Sequence, residues 1–285
     1  MIPIQLRINT KEIYTCEFAA DGTQAITGAQ KQLVQLWDVG TGSCVRDFAH
    51  TGSMWALAWS PDQELFLSVD GTLRMWDLET GRCVREYEGY HFRCVAWSND
   101  QCRVLTASHA SVNCLDAESG QPLLVLDGHT DGVYCVAFDA DRQRALSGAR
   151  DKTVRVWDLA SGRCLHVLEG HTYHVHCVAW SSDQRRALSC SSDIRLWDVE
   201  AGRCLRVFEG HTDTIRSVRW SQDEQLALSA SHDRTVRLWE VETGRCVRVF
   251  AGHTAGVVNA AFSADQQRVF SCDWKGGVRT WELAE

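Results

Sequence analysis

The chain has 285 residues, 45% of them hydrophobic and 23% charged, and a formal net charge of −8. That balance suits a body with a sizeable core and argues against a nucleic-acid surface, which carries a basic excess. No apolar run is long enough to span a bilayer and no signal-like start is present, so a cytoplasmic chain with no membrane partner is expected.

Strand-sized runs follow one another through the whole chain. Residues 2–8 form a first, lone run. Unit 1, residues 13–48, ends its third run at Trp37-Asp38, with Asn9 where later units carry His and Lys31 where they carry a turn Asp. Unit 2, residues 54–87, has His50, Ser68, Asp70 and Trp76, with a turn shortened by two residues. Unit 3, residues 92–126, is the most degenerate: Leu115 replaces the Trp, Tyr90 stands at the His column, and the turn around His109 lacks the Asp. Unit 4, residues 133–168, is the clearest. VYCVAF, RALSG, TVRVWD and RCLHVL are each strand-sized, and DADRQ, GARDK and LASG supply turn residues between them. No run has the length or the 3.6-residue period of a helix, so the unit predicts a four-stranded antiparallel meander, a to d. Unit 5, residues 175–208, has His171, Ser189 and Trp197, with Asp193 behind a shortened turn. Unit 6, residues 215–250, is complete in His211, Ser229, Asp233 and Trp239. Unit 7, residues 257–282, keeps His253, Ser271 and Trp281, with Lys275 in place of the turn Asp.

The Trp-Asp or variant pairs thus recur seven times, about 39 to 42 residues apart, a period that means a propeller or solenoid. GHTDGV followed by ALSGARDKTVRVWD resembles the WD-repeat β-propellers, and the likeness covers the whole chain. The resemblance implies an all-β, seven-bladed β-propeller of four-stranded antiparallel blades around a central channel. Only six d strands follow a Trp-Asp, so residues 2–8 are expected to supply the outer strand of the last blade and close the ring. Pro3 and Pro122 both fall in d strands, where an edge tolerates proline. No linker interrupts the order, so residues 1–285 are expected to form a single domain.

Of thirteen cysteines, eight fall in two repeat columns: Cys44, Cys83, Cys164, Cys204 and Cys246 in strand d, and Cys94, Cys135 and Cys177 in strand a. Copies in neighbouring blades should lie beyond disulfide reach, so they read as small buried apolar residues in a reducing compartment.

Two constellations look like chemistry. Ser147, His129 and Asp151 are the types of a nucleophilic triad, but the same set recurs with a Trp in units 2, 4 and 6, and in unit 5 behind its shortened turn. In WD-repeat proteins such positions resemble a structural tetrad, so no catalytic residue is expected. His171, His174, His176 and Cys177 could approach a metal. His171 belongs to the tetrad column and Cys177 to an apolar column, so neither metal nor cofactor is expected. The Arg two before each strand-c Trp (Arg74, Arg155, Arg195, Arg237, Arg279) is expected to pair with a nearby Asp.

The columns that vary are more informative. One, at the entry to strand a, holds Tyr14, Trp55, Arg93, Tyr134, His176, Arg216 and Val258. The other, before the b–c turn Asp column, holds Gln30, Val69, Arg150, Ser192, His232 and Trp274. In a meander the b–c and d–a loops share one face, so both columns should open on one rim. Aromatics with Arg and His dominate binding hot spots. Tyr14, Trp55, Arg93, Tyr134, Arg150, His176, Arg216, His232 and Trp274 are therefore the expected contacts of a protein or peptide partner. The opposite face carries acidic turns, among them Asp21, Asp62, Asp100, Asp141, Asp183, Asp223 and Asp265. The reading is a monomeric, non-enzymatic scaffold that binds no nucleic acid. Its alternatives are the sensor portion of a larger signalling protein, or a designed or recently amplified propeller without a native ligand. A metal-dependent hydrolase or lyase using His174 and His176 is the least favoured.

Overall fold

Each of the seven units folds as a four-stranded antiparallel sheet in the order a-b-c-d. The computed structural model describes residues 4–5, 12–19, 21–29, 33–87, 91–139, 141 and 143–283. Blade 4 is typical, with Val133–Phe138, Arg144–Ala149, Val154–Asp158 and Cys164–Leu168 as its strands. The last sheet joins the two ends of the chain: Ile4–Gln5 pairs with Gly277–Glu282, Ile4 opposite Val278 and Gln5 opposite Gly277. The expected closure is therefore present, and its strand is short. Residues 2–3 and 6–8 of the expected run, with Asn9, Gln30, Lys31 and Tyr90, lie outside the described residues.

The blades carry apolar side chains on both faces, and the core lies between blades rather than inside any one of them. Leu146, Val154, Val156 and Leu168 of blade 4 pack with Val175, Val178, Ala187 and Trp197 of blade 5. Comparable clusters fill every junction, including the one between blade 7 and blade 1, where Phe270, Cys272 and Val278 meet Ile13, Cys16, Phe18 and Trp37. Phe18 and Phe270 stack there at 5.8 Å. Polar contacts reinforce this side of the ring. Asn259 Nδ2 donates to the Cys16 carbonyl at 2.6 Å, the Ala260 N–H donates to Ser217 Oγ at 3.3 Å, and Arg219 reaches both oxygens of Glu17 at 3.0 and 2.9 Å.

Two departures from a plain ladder recur. Between strands c and d the register shifts just before the Trp, which then faces a cysteine: Trp157 opposite Cys164, Trp197 opposite Cys204. This corrects the reading of that cysteine column as buried. Strand d is outermost and has a ladder partner on one side only, so Cys44 and Cys83 are exposed and Cys164, Cys204 and Cys246 half-buried. All thirteen cysteines are free thiols. Between strands a and b a β-bulge leaves one extra residue on strand a. Val133 faces Ala149 and Cys135 faces Gly148, so Tyr134 has no opposite number. The same shift leaves out Tyr14, Arg216 and Val258.

On the face of the a–b turns, a serine hydroxyl bonds the Asp two residues on: Ser60 to Asp62 at 2.5 Å, Ser181 to Asp183 at 2.6 Å, Ser221 to Asp223 at 2.6 Å. That bond holds each of these carboxyls below the ordinary carboxylate range. The acidic ring is thus also the turn chemistry of the fold, with Gln63, Gln184 and Glu224 taking the left-handed conformation that closes each turn.

The seam between blades 7 and 1 should behave as core. Phe270→Ala removes an aromatic that is 5% exposed and is expected to cost about 3–5 kcal/mol. Leu165→Ala, on the exposed side of a strand d, should stay within about 0.5 kcal/mol. Urea midpoints of the two variants check the difference.

Candidate functional site

The apparent Ser-His-Asp sets are settled by their geometry. In blade 4, Trp157 Nε1–H donates to Ser147 Oγ at 2.8 Å, Ser147 lies 2.7 Å from His129 Nε2, and His129 Nδ1 lies 2.8 Å from Asp151. An indole N–H only donates and a carboxylate only accepts. The protons are therefore placed: indole to serine, serine to Nε2, Nδ1–H to Asp. Every member is satisfied, and the serine is wholly buried. This is a lock between loop, turn and strands, with no path for a substrate to the hydroxyl.

Blades 5 and 6 repeat it with Trp197, Ser189, His171 and Asp193, and with Trp239, Ser229, His211 and Asp233. Two sequence expectations are corrected. Blade 7 forms the lock despite Lys275, because Asp273 at the end of strand b reaches His253 at 2.9 Å. Blade 2 does not complete it. Trp76 still donates to Ser68 at 2.8 Å, but Nε2 of His50 makes no hydrogen bond to the serine, its Nδ1 stands 3.4 Å from Asp70 rather than the 2.6 to 2.9 Å of blades 4 to 7, and Asp70 is also engaged by Arg74 and by the Thr51 and Gly52 N–H groups. The arginine column is corrected as well. Arg74 and Arg195 pair with Asp70 and Asp193, whereas Arg155, Arg237 and Arg279 lie over the indoles of Trp157, Trp239 and Trp281 at 5.8 to 5.9 Å. Among the described residues no group of three or more His, Cys, Asp or Glu side chains is placed to hold a metal. His174 stacks on Tyr173 at 4.2 Å and His171 is held in the lock.

The channel is the other candidate. Its cavity, about 590 Å³, runs from Tyr14, Trp55, Tyr134, His176 and Arg216 at one mouth to Ser60, Gln63 and Asn99 near the a–b turns. The bulge explains the first set. A bulged strand bends and re-aims the extra side chain, and here it turns the first-column residues into the opening. In blades 2 and 5 the same two-to-one pairing survives as the Trp55 N–H to Val69 carbonyl bond at 2.7 Å and the His176 N–H to Cys190 carbonyl bond at 2.9 Å.

These side chains form a continuous arc. The Arg93 guanidinium lies 5.1 Å from the Trp55 ring and 5.9 Å from Tyr134, Tyr134 stacks on His176 at 5.6 Å, and His176 Nδ1 lies 3.4 Å from Arg216 Nη1. Tyr14 is bonded to Glu12 at 3.3 Å, and Val258 is buried. Trp55 remains 53% exposed, which leaves a large aromatic surface at the mouth. Burial, with Arg216 beside it, pushes His176 down to about 3, so this ring is neutral at neutral pH.

The second column stands outside the cavity, with His232 beside Arg216 of the arc. Arg150 pairs with Asp131 at 3.6 Å, and His232 and Trp274 make a separate aromatic pair at 5.7 Å; none of the three lines the cavity. Val69 is core, and Ser192 bonds Thr172 at 3.3 Å. Sequence reasoning missed two features. Tyr173 and His174 extend the arc beside Tyr134, with His174 edge-on at 5.8 Å. Glu17 and Arg219 pair inside the channel, Glu17 held above its ordinary range by burial against the pull of Arg219. Their signal was available: that column of strand a is otherwise Ala58, Ala96, Ala137, Ala179 and Ala261.

A ring of seven repeated sheets, four of them locked by an indole, a hydroxyl, an imidazole and a carboxylate, defines a tandem-repeat β-propeller around a channel. The chain belongs to the WD40 family (WD domain, G-beta repeat), whose repeat matches residues 42–77, 120–158, 162–198, 202–240 and 244–282. Among curated proteins it is 26% identical over 145 residues to the WD repeat-containing protein AAC3 of Dictyostelium discoideum, covering 47% of this chain and 30% of that one. It is 27% identical over 166 residues to Cell division cycle 20.5, cofactor of APC complex, of Arabidopsis thaliana, covering 52% and 37%. It is 36% identical over 63 residues to the human Intraflagellar transport protein 122 homolog, covering 22% and 5%. The chain thus spans between 5% and 37% of the length of these relatives. No helix among the described residues is long and apolar enough to cross a membrane.

The locks should make stability depend on pH. Burial holds His129, His171 and His211 below 6.5, so they stay neutral while the unfolded chain takes up protons. Stability from this source is full above about pH 6.5 and falls as the pH drops below it. Asp151, Asp193 and Asp233 sit below 3.8, which places a second loss under about pH 4. Urea midpoints between pH 8 and pH 3 should trace both steps. His211→Gln should flatten the upper one.

Proposed function

We propose that this propeller is a non-enzymatic interaction scaffold that holds a protein or peptide segment across the channel mouth. Tyr14, Trp55, Arg93, Tyr134, His176 and Arg216 are its contacts, and Arg150, His232 and Trp274 flank them. One observation carries the reading: an exposed tryptophan, a guanidinium and a tyrosine are already stacked on one another at the opening of a cavity. Such a set is ordered before a partner arrives, so binding loses little side-chain entropy there. Aromatic and Arg anchors beside a pocket are the usual centre of an interface. The WD40 family is in general one of interaction scaffolds, and the relatives' names are not those of enzymes. The buried serine hydroxyls, each committed to an indole and an imidazole, support the same view. So do thirteen free thiols for a reducing, cytoplasmic setting, with the chain acting as a single monomeric propeller domain.

Affinity capture of the partner followed by titration tests this. Trp55→Ala and Tyr134→Ala should each weaken binding by about 2 kcal/mol, roughly thirtyfold. Unchanged affinity in both would remove the mouth as the binding surface.

A further inference from the structure

Strand a of blade 6, Ile215–Trp220, sends two arginines into the channel, and the molecule treats them differently. Arg219 is answered in full, with both oxygens of Glu17 within 3.0 Å. Arg216, nearer the mouth, has no carboxylate partner among the described residues. Its Nη1 faces Nδ1 of His176 at 3.4 Å, and the groups around it are His176, His232, Tyr134, Cys177 and Cys190. A neutral imidazole that accepts at Nδ1 carries its proton on Nε2, and that Nε2 has no partner. The local set is therefore rich in donors and poor in acceptors. A partly buried guanidinium without a counter-ion is costly, and the cost is relieved when an anion arrives.

Arg93 supplies a second cation at the mouth. Its faces are taken by Trp55 and Tyr134, while its N–H edges have no partner among the described residues. The whole chain carries a net charge of −8, so two cations without carboxylate partners among the described residues at one opening stand out against their background.

We propose that the mouth selects a partner segment bearing an aspartate or glutamate, whose carboxylate accepts from Arg216 while a neighbouring apolar side chain lies over Trp55 and Tyr134. This rests on the reading of the mouth as a peptide site and adds what the peptide must carry. A carboxylate fits better than a phosphate. Arg216 is a single guanidinium, and Tyr134 and His176 separate it from Arg93. A dianion would keep one of its charges uncompensated in a half-buried place.

The test uses a phage-displayed library of random heptapeptides selected on the intact protein. The best binder is then synthesised with its acidic residue as found, as the matching amide, and as phosphoserine. The expected winners carry Asp or Glu at one fixed position beside an aromatic or aliphatic residue. Arg216→Gln should weaken the winner tenfold to a hundredfold, and Arg216→Lys should retain the preference for an acid. The amide peptide should lose as much as Arg216→Gln does, and the two changes together should lose no more than either alone. Winners without an acid, an affinity indifferent to Arg216→Gln, or a tighter phosphoserine peptide would each overturn the proposal. Winners that lack an acid yet depend on Trp55 would leave the mouth as a peptide site and remove only its anion selectivity. A library without any binder would remove both.

Discussion

Everything in this molecule follows from sheets that are apolar on both faces. Leu146, Val154 and Val156 on one side of blade 4, and Ala145, Ala149 and Trp157 on the other, can leave water only against two different neighbours. A blade by itself would expose one set or the other. An open row of blades would leave two such faces, at about 25 cal/mol for each Å² of apolar surface left in water. Closing the ring removes both. The junction between blades 7 and 1 is thus built as the others are, with Phe18 on Phe270, and is reinforced by Asn259 on the Cys16 carbonyl and by Glu17 with Arg219. Pairing Ile4–Gln5 with Gly277–Glu282 adds a covalent consequence: the last blade contains both ends of the described chain.

Packing alone would tolerate slippage between strands, because many of the apolar side chains are interchangeable in kind. The polar locks add direction. Each ties a loop histidine, a strand-b serine, a carboxylate and a strand-c indole in one proton-consistent chain, so the loop above a blade cannot shift without stranding a buried donor. Blade 2, where His50 makes no hydrogen bond to Ser68, shows that the packing of Trp76 on Phe48 and Phe66 holds a blade together even when the lock is incomplete. Blade 3, with Leu115 at the Trp position, makes the same point from sequence.

The proposed binding surface is a by-product of this architecture. A bulge at the start of strand a is needed where the inner strand bends over the channel rim, and its extra residue cannot pair in the ladder. The side chain at that position is released from the packing rules that fix its neighbours. Blade by blade it has become Tyr14, Trp55, Arg93, Tyr134, His176, Arg216 and Val258. One level deeper the small Ala column continues almost unbroken, and the two charges that interrupt it neutralise each other.

Much of this was readable before any coordinates. The strand count, the seven-fold period, the members of the locks in blades 4, 5 and 6, and the variable first column all follow from patterns inside one repeat. Within a repeat, hydrogen bonds join residues a fixed, short distance apart, and repetition exposes them. Lys275 shows the limit, since a neighbouring residue, Asp273, took the missing role through local geometry that spacing does not encode. What tertiary structure alone decided are the contacts between blades. Glu17 and Arg219 stand 202 residues apart and meet across the channel, whereas Arg216, three residues from Arg219, meets no carboxylate among the described residues. Repeat columns set these two arginines apart, Arg219 in an otherwise alanine column and Arg216 in the variable one, but give neither its partner. Only the closed ring sets which side chains from distant repeats come within the few ångströms over which a charge is answered or left open.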